Sequence, residues 1–249
     1  MIGDCARTKS TTLNCVRMER AETIDRLKRR SPAILPSLLL CDFGNLEREV
    51  ARLEAAAVPA LHLDIMDGVF VPNFTYGMTI VRALRRLTSL PLDAHLMIAD
   101  PGKYVGAFRE SGADVITFHA EAVPDPLPIL RQIRSVGAAS GLAINPNTEL
   151  SAIEPYLAWC DLVVVMSVPA GFGGQPFDKR ALAKLERLRQ LVGQEVLLQI
   201  DGGINRDTIR SAVDASADLL VVGSAIFGQA DYGQAVCELQ ELLGLKAMH

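Results

Sequence analysis

No run of this 249-residue sequence approaches the roughly 18 consecutive apolar residues that a membrane-spanning helix needs; charges and turn residues break every hydrophobic stretch early. No Cys-x-x-Cys pair occurs, and the five cysteines (Cys5, Cys15, Cys41, Cys160, Cys237) are odd in number and widely scattered. That usage excludes a disulfide framework or a structural zinc cluster and points to a reducing, cytoplasmic setting. A secretory apolar core is lacking at the N-terminus. Aromatic residues are only 5%, so the core must be aliphatic. Positive charge is not in excess either. The formal net charge of −4 argues against a dedicated nucleic-acid binder, and no membrane partner is expected.

What is present, 49% hydrophobic and 22% charged residues, suits an ordinary globular core. The charge is unevenly spread. Residues 1–31 carry eight Lys/Arg against four acids, a net of +4, which leaves −8 for residues 32–249. We read 1–31 as a polar, basic N-terminal extension, a tail over 1–18 followed by flexible chain or one short helix over Glu19–Arg30. Residues 32–249 are expected to form the main folded domain, which the motifs below make the catalytic one.

From Ala33 onward, short β-rich runs alternate with amphipathic stretches of helical length. Strands are expected at about 33–37, 60–65, 91–97, 114–119, 140–144, 161–166, 196–200 and 218–222. Helices are expected at about 44–56, 78–88, 102–111, 126–136, 150–157, 177–192, 206–215 and 231–243. Asn45, Asp100 and Asn205 stand at or near helix starts, and Gly112 and Gly137 where helices should stop. Near-continuous apolar strands alternating with helices imply a parallel sheet covered on its outer face. Eight such units favour a closed (β/α)8 TIM barrel of the α/β class. The rival, a doubly wound open sheet, usually has about five or six strands and a Gly-rich first turn. Here the first strand runs into Leu38-Leu39-Leu40-Cys41 without one.

Such a barrel places its active site at the C-terminal ends of the strands. Three of the four histidines, His62, His95 and His119, fall at or near the ends of expected strands two, three and four. His62 and Asp64 are two apart and so share the inward face; Asp93, His95 and Met97 do the same on strand three. Asp201 closes strand seven. A carboxylate in the mouth of an apolar barrel is costly unless paired or coordinating a cation. His62, Asp64, His95 and Asp201 therefore make a candidate divalent-metal cage, its mixed N/O donors suiting Zn²⁺, Fe²⁺, Mn²⁺ or Co²⁺ better than Mg²⁺ or Ca²⁺. The plainer alternative is that the two aspartates cap loop amides.

Glycines cluster after the last three strands: Gly171-Phe172-Gly173-Gly174-Gln175, Asp201-Gly202-Gly203 and Gly223-Ser224. Taken singly each is a turn; together they suit a phosphate cup built from backbone N–H groups. Lysine is scarce, six in all, and none lies on a strand or at its C-terminal end. This excludes a Schiff-base aldolase and a decarboxylase using an Asp-x-Lys-x-x-Asp array. Met66, Met97 and Met166, at the ends of strands two, three and six, suggest a polarizable, water-poor lining.

The segments Pro36-Ser37-Leu38-Leu39, His62-Leu63-Asp64-Ile65-Met66-Asp67-Gly68-Val69-Phe70-Val71-Pro72-Asn73, Asp93-Ala94-His95-Leu96-Met97, Asn145-Pro146-Asn147-Thr148, Gly171-Phe172-Gly173-Gly174-Gln175 and Asp201-Gly202-Gly203-Ile204 resemble the ribulose-phosphate 3-epimerase family. The likeness runs in order from about residue 33 to residue 243. It implies a ribulose-phosphate-binding barrel and an isomerase of the pentose phosphate pathway that interconverts D-ribulose 5-phosphate and D-xylulose 5-phosphate. Proton transfer between two bases would pass through a cis-enediolate stabilised by one divalent metal ion per subunit. Carried over residue by residue, the metal ligands are His62, Asp64, His95 and Asp201, and the acid/base pair is Asp64 and Asp201. The substrate contacts are Ser37, His95, Gly171, Phe172, Gly173, Gly174, Gly202, Gly203, Gly223 and Ser224. A small phosphorylated ketose and a second copy of the chain, in a homo-oligomer, are the implied partners. One stretch departs from the family's pattern: Pro169-Ala170 precede Gly171, and Pro169 removes a backbone donor. An epimerase acting on a hexulose phosphate such as allulose 6-phosphate, or a non-catalytic phosphate-binding barrel, are the alternatives.

Overall fold

A computed structural model describes residues 17–244; the tail expected over 1–18 falls almost wholly outside them, as do residues 245–249. Eight parallel strands run β1 Ala33–Pro36, β2 Leu61–Met66, β3 Leu92–Met97, β4 Val115–His119, β5 Ala139–Ile144, β6 Leu162–Met166, β7 Leu197–Asp201 and β8 Leu219–Val222. They pair in the order β1-β8-β7-β6-β5-β4-β3-β2, and a Ser37–His62 bridge joins the two ends of that order. This is the barrel the alternation implies. Around it lie α1 Arg20–Arg30, α2 Leu46–Ala55, α3 Met78–Leu87, α4 Val105–Ser111, α5 Leu127–Ser135, α6 Arg180–Val192, α7 Ile209–Asp214, α8 Ser224–Phe227 and α9 Tyr232–Leu242. Among the described residues no helix is long and apolar enough to cross a membrane.

The strands match expectation to within one residue at either end, because each is a short, almost wholly buried run in which apolar residues predominate or alternate with the inward polar ones of β2 and β3. The helices match less well. The stretch expected as a helix over 150–157 forms two tight 3₁₀ turns instead, Leu150–Ala152 and Glu154–Trp159, with Pro155 in the first turn of the second. Proline has no N–H to give an α-helical ladder.

Alternation along each strand builds two cores. Outward residues such as Leu61, Leu63, Leu92, Leu96 and Phe118 meet the helices through Val81, Leu84, Phe108 and Leu130. Inward residues at the N-terminal end, among them Ala33, Leu35, Ala60, Val115, Ala139 and Leu162, form a plug that Leu27 of α1 completes. The described part of the expected extension is thus packed under the barrel. It is also tethered there: Arg20 Nε donates to Asp161 (2.7 Å), Met18 N to Asp114 (3.1 Å), and Arg109 to the Met18 carbonyl (2.7 Å).

The same end carries a threefold device. Asp114, Asp161 and Asp218 stand just before β4, β6 and β8 and accept the N–H of Leu92 (3.0 Å), Ser140 (2.9 Å) and Leu198 (2.7 Å). Each pairs with an arginine from the helix that leads into the neighbouring strand: Arg85, Arg134 and Arg189 respectively. Beside the backbone bonds from Asp114 N to Leu92 O (2.9 Å), Asp161 N to Ser140 O (2.8 Å) and Asp218 N to Leu198 O (2.8 Å), these side chains add a second, charge-assisted tie at the start of alternate strand pairs. In this fold, ion pairs at the bottom belong to stability and the opposite rim to chemistry.

Candidate active site

On β2 the odd positions Leu61, Leu63 and Ile65 enter the outer core, which turns His62, Asp64 and Met66 inward. His95 points inward from β3, and Asp201 reaches over the mouth from the last position of β7. One donor atom from each of His62, Asp64, His95 and Asp201 lies within 4.8 Å of all the others. His62 Nε2 is 3.4 Å from Asp64 Oδ1 and 3.8 Å from Asp201 Oδ2; His95 Nδ1 is 3.6 Å and 3.5 Å from the same oxygens. Although buried, neither nitrogen has a hydrogen-bond partner.

Both imidazoles are held from behind. His62 Nδ1 lies 2.7 Å from Asp93 Oδ2, which also accepts from Gln199 Nε2 at 3.0 Å. His95 Nε2 lies 2.9 Å from His119 Nε2. Burial works against a charged His62, yet the facing carboxylates of Asp64 and Asp93 lift its pKa well above the ordinary value. Burial likewise disfavours ionised Asp64, and the two imidazoles nonetheless hold it well below the usual carboxylate range. The two shifts are reciprocal: imidazoles and carboxylates stabilise one another's charged forms, so positive charge beside the carboxylates is favoured. Two unpartnered imidazole nitrogens facing two carboxylates, each ring oriented by an outer partner, fit a divalent cation.

A cavity of about 180 Å³ opens above this cluster, bordered by Asp64 and Asp201 and by Met66, Met97 and Met166. Ser37 donates to the second Asp64 oxygen at 2.5 Å. Of the expected substrate contacts, Ser37, Gly171, Phe172, Gly173, Gly174, Gly202, Gly203, Gly223 and Ser224 border the cavity. His95 does not. It is fully buried, with Nδ1 toward the cluster and Nε2 toward His119.

The rim glycines are required by close packing at two positions. Gly202 has φ +110° and a Cβ there would sit 2.5 Å from Val168 Cγ2; Gly203 has φ +60° and its Cβ would meet the Phe177 backbone at 2.9 Å. The loop before them is pinned at its entry. Ala170 N donates to Asn145 Oδ1 (3.0 Å), Asn73 Nδ2 to the Gly171 carbonyl (2.8 Å), and Gln175 Nε2 to the Pro169 carbonyl (2.8 Å). Pro169 therefore serves as an acceptor, and its missing N–H does not prevent the loop from being anchored.

The groups behind the ligands are legible in the sequence to different degrees, His119 by its place at a strand end. Asp93 carries a signal in its phase with His95, and Gln199 is the one polar residue within the otherwise apolar run Leu197–Ile200. Glu121, two residues after His119, reaches its Nδ1 (3.2 Å) through a local contact. Burial would raise the Glu121 carboxyl, but bonds from His119, Thr148 and the Asn145 N–H bring it down to about 2.

A (β/α)8 barrel with an inward imidazole–carboxylate cluster under a glycine-rich rim has the form of a barrel enzyme whose reaction centre lies at the C-terminal ends of the strands. Comparison with known proteins gives the particular family. The model of the ribulose-phosphate 3-epimerase family matches residues 33–227. The chain is 40% identical over 211 residues to a ribulose-phosphate 3-epimerase of Bacillus subtilis, covering 83% of this chain and 97% of that one. It is 42% identical over 221 residues to that of Mycobacterium bovis, covering 88% and 96%. Among solved structures, KGPDC from Streptococcus mutans superposes with a TM-score of 0.64 at 15% identity, over 86% of this chain and 98% of that one, a likeness of fold alone. The chain belongs to the ribulose-phosphate 3-epimerase family.

Proposed function

We propose that the chain interconverts D-ribulose 5-phosphate and D-xylulose 5-phosphate at the cavity above His62, Asp64, His95 and Asp201. One observation carries this reading: Asp64 and Asp201 both border the cavity while each turns an oxygen to the two imidazoles. Inverting a carbon next to a ketone means removing a proton from one face and delivering one to the other. Asp64 takes the C3 proton and Asp201 supplies the new one; the reverse reaction exchanges the roles. The Ser37 hydroxyl orients the Asp64 carboxylate. A divalent ion held by His62, Asp64, His95 and Asp201 would supply Lewis-acid stabilisation of the charge developing on the sugar oxygens. The donor set favours Zn²⁺, Fe²⁺, Mn²⁺ or Co²⁺.

Backbone N–H groups of the Gly171–Gly174, Gly202-Gly203 and Gly223-Ser224 segments hold the phosphoryl group, so binding energy is drawn from a point remote from C3. The buried methionines keep water from the reacting carbon. Self-association through the barrel's outer helices belongs to the same reading, and light scattering on purified protein tests it.

The deciding experiment incubates the protein with ribulose 5-phosphate in D₂O. Deuterium is expected at C3, and Asp64→Asn and Asp201→Asn should each lower turnover by about 10²–10⁴. Either variant keeping more than about a tenth of wild-type turnover contradicts the two-base scheme. Elemental analysis, with chelation and re-addition of each ion, identifies the metal. Faster exchange on a hexulose phosphate would shift the substrate assignment.

A further inference from the structure

The two imidazoles of the cluster are supported in opposite ways. His62 rests on Asp93 and Gln199, both buried in the barrel wall and going nowhere further. His95 rests on His119, whose ring lies nearly parallel to it at a centroid distance of 5.0 Å. From there the bonds lead outward.

With His95 Nδ1 turned to the cluster the hydrogens in this second chain take one order, in which Asn145 Nδ2, 3.3 Å from His119 Nδ1, faces a fellow donor and makes no bond there. For His95 Nδ1 to offer a lone pair to the cluster, its proton must sit on Nε2, and it is donated across 2.9 Å to His119 Nε2. His119 then carries its own proton on Nδ1 and donates it to Glu121 Oε2 at 3.2 Å. The other Glu121 oxygen accepts the Asn145 N–H at 2.7 Å and the Thr148 hydroxyl. Asn145 in turn accepts, through Oδ1, the N–H of Ala170, the residue just before Gly171. Lys184 of α6 donates to the carbonyls of Asn145 (3.2 Å) and Pro146 (2.9 Å) and fixes the turn between them. An unbroken series of bonds thus joins the cluster to the entry of the glycine-rich loop.

We propose that His119, Glu121 and Asn145 are positioning residues forming a strut that couples the ligand His95 to the Gly171–Gly174 loop, so that cation binding and phosphoryl binding favour each other. The inference rests on the function proposed above, since it needs an ion at the cluster and a phosphoryl group at the loop. Positive charge at His95 Nδ1 makes Nε2–H a stronger donor, which tightens the bonds to His119 and Glu121 and holds Asn145 where Ala170 needs it. The loop docked on Asn145 and the loop released from it are the two states that each ligand biases. Linkage then works equally in both directions.

The test titrates the full chain with Co²⁺ and with inorganic phosphate, each alone and each in the presence of the other, following the Co²⁺ visible spectrum and heat of binding. Wild-type affinity for either ion should rise about tenfold when the other is bound, within the range usual for coupled sites. Asn145→Ala should keep its Co²⁺ affinity in the absence of phosphate to within about twofold, yet lose the mutual effect. His119→Leu should weaken Co²⁺ binding by about 10–100-fold and alter its spectrum. His119→Gln, whose amide offers an acceptor to His95 and a donor to Glu121, should restore both. Wild-type protein that takes up both ions without mutual effect, or Asn145→Ala that retains the full effect, overturns the strut alone. Wild-type protein that takes up no Co²⁺ overturns the proposed function and the strut with it.

Discussion

Replacing Leu27 by alanine asks whether α1 belongs to the barrel or merely precedes it. The side chain is 1% exposed and packs among Ala33, Leu35, Ala60 and Leu162 at the closed end of the barrel. Its truncation removes three carbons, a transfer loss of about 2.4 kcal/mol at about 0.8 kcal/mol each. The cavity left is walled by hydrogen-bonded strands that cannot collapse into it, which brings the cost to about 3 kcal/mol. For a domain of this size the melting temperature should fall by about 6–12 °C. The urea midpoint should fall by about 1 M at a slope near 3 kcal/mol per M. The single tryptophan, Trp159, gives a fluorescence readout from the same end: the Arg131 guanidinium stands 4.5 Å from its ring, and its carbonyl accepts from Ser140. Glu22→Ala, on the exposed side of α1, serves as the control and should stay within about 0.5 kcal/mol of wild type. Should Leu27→Ala do the same, α1 is an appendage, and the domain begins at residue 32 as its charge pattern implies.

Two further outcomes follow from the bottom and the rim of the barrel. Burial by itself would raise the Asp161 carboxyl, but Arg20, the Ser140 N–H and Arg134 outweigh it and hold the pKa below the ordinary value. Its stabilisation is therefore complete above the unfolded-chain value of about 4 and fades as pH drops through the lower folded value. Asp161→Asn should cost about 1–3 kcal/mol at neutral pH. The difference from wild type should shrink as pH falls below about 4, and a constant difference in urea titrations there would refute the assignment. At the rim, Gly202→Ala places a methyl 2.5 Å from Val168 in a backbone conformation that L-residues rarely adopt. It should raise KM for the sugar phosphate by about 5–150-fold, from about 1–3 kcal/mol of strain, with Co²⁺ uptake unchanged. A KM within twofold of wild type would show that the loop yields at no cost.

The parts of the molecule legible in the chain are those governed by short periods. A two-residue alternation places His62 with Asp64, and Asp93 with His95, on one inward face whatever the rest of the chain does. Apolar runs bounded by turn residues mark all eight strands, and their regular alternation with helices leaves few closed arrangements besides the barrel. Helix type was harder to read, as the 3₁₀ turns around Pro155 show. There, one missing N–H outweighs the amphipathic pattern.

What the linear order could not contain is which partners stand behind the ligands. Asp93 and His62 lie 31 positions apart, Gln199 and Asp93 106, and Asn145 and Ala170 25, and no local rule links them. Nor did the basic stretch at the N-terminus declare that one leucine within it would close the barrel. Side-chain period is set by the backbone of a single strand, so residue type and spacing suffice to read it. Distance between elements is set by closure of the whole sheet, and only when the eighth strand meets the first do Asp64 and Asp201 come to face one another.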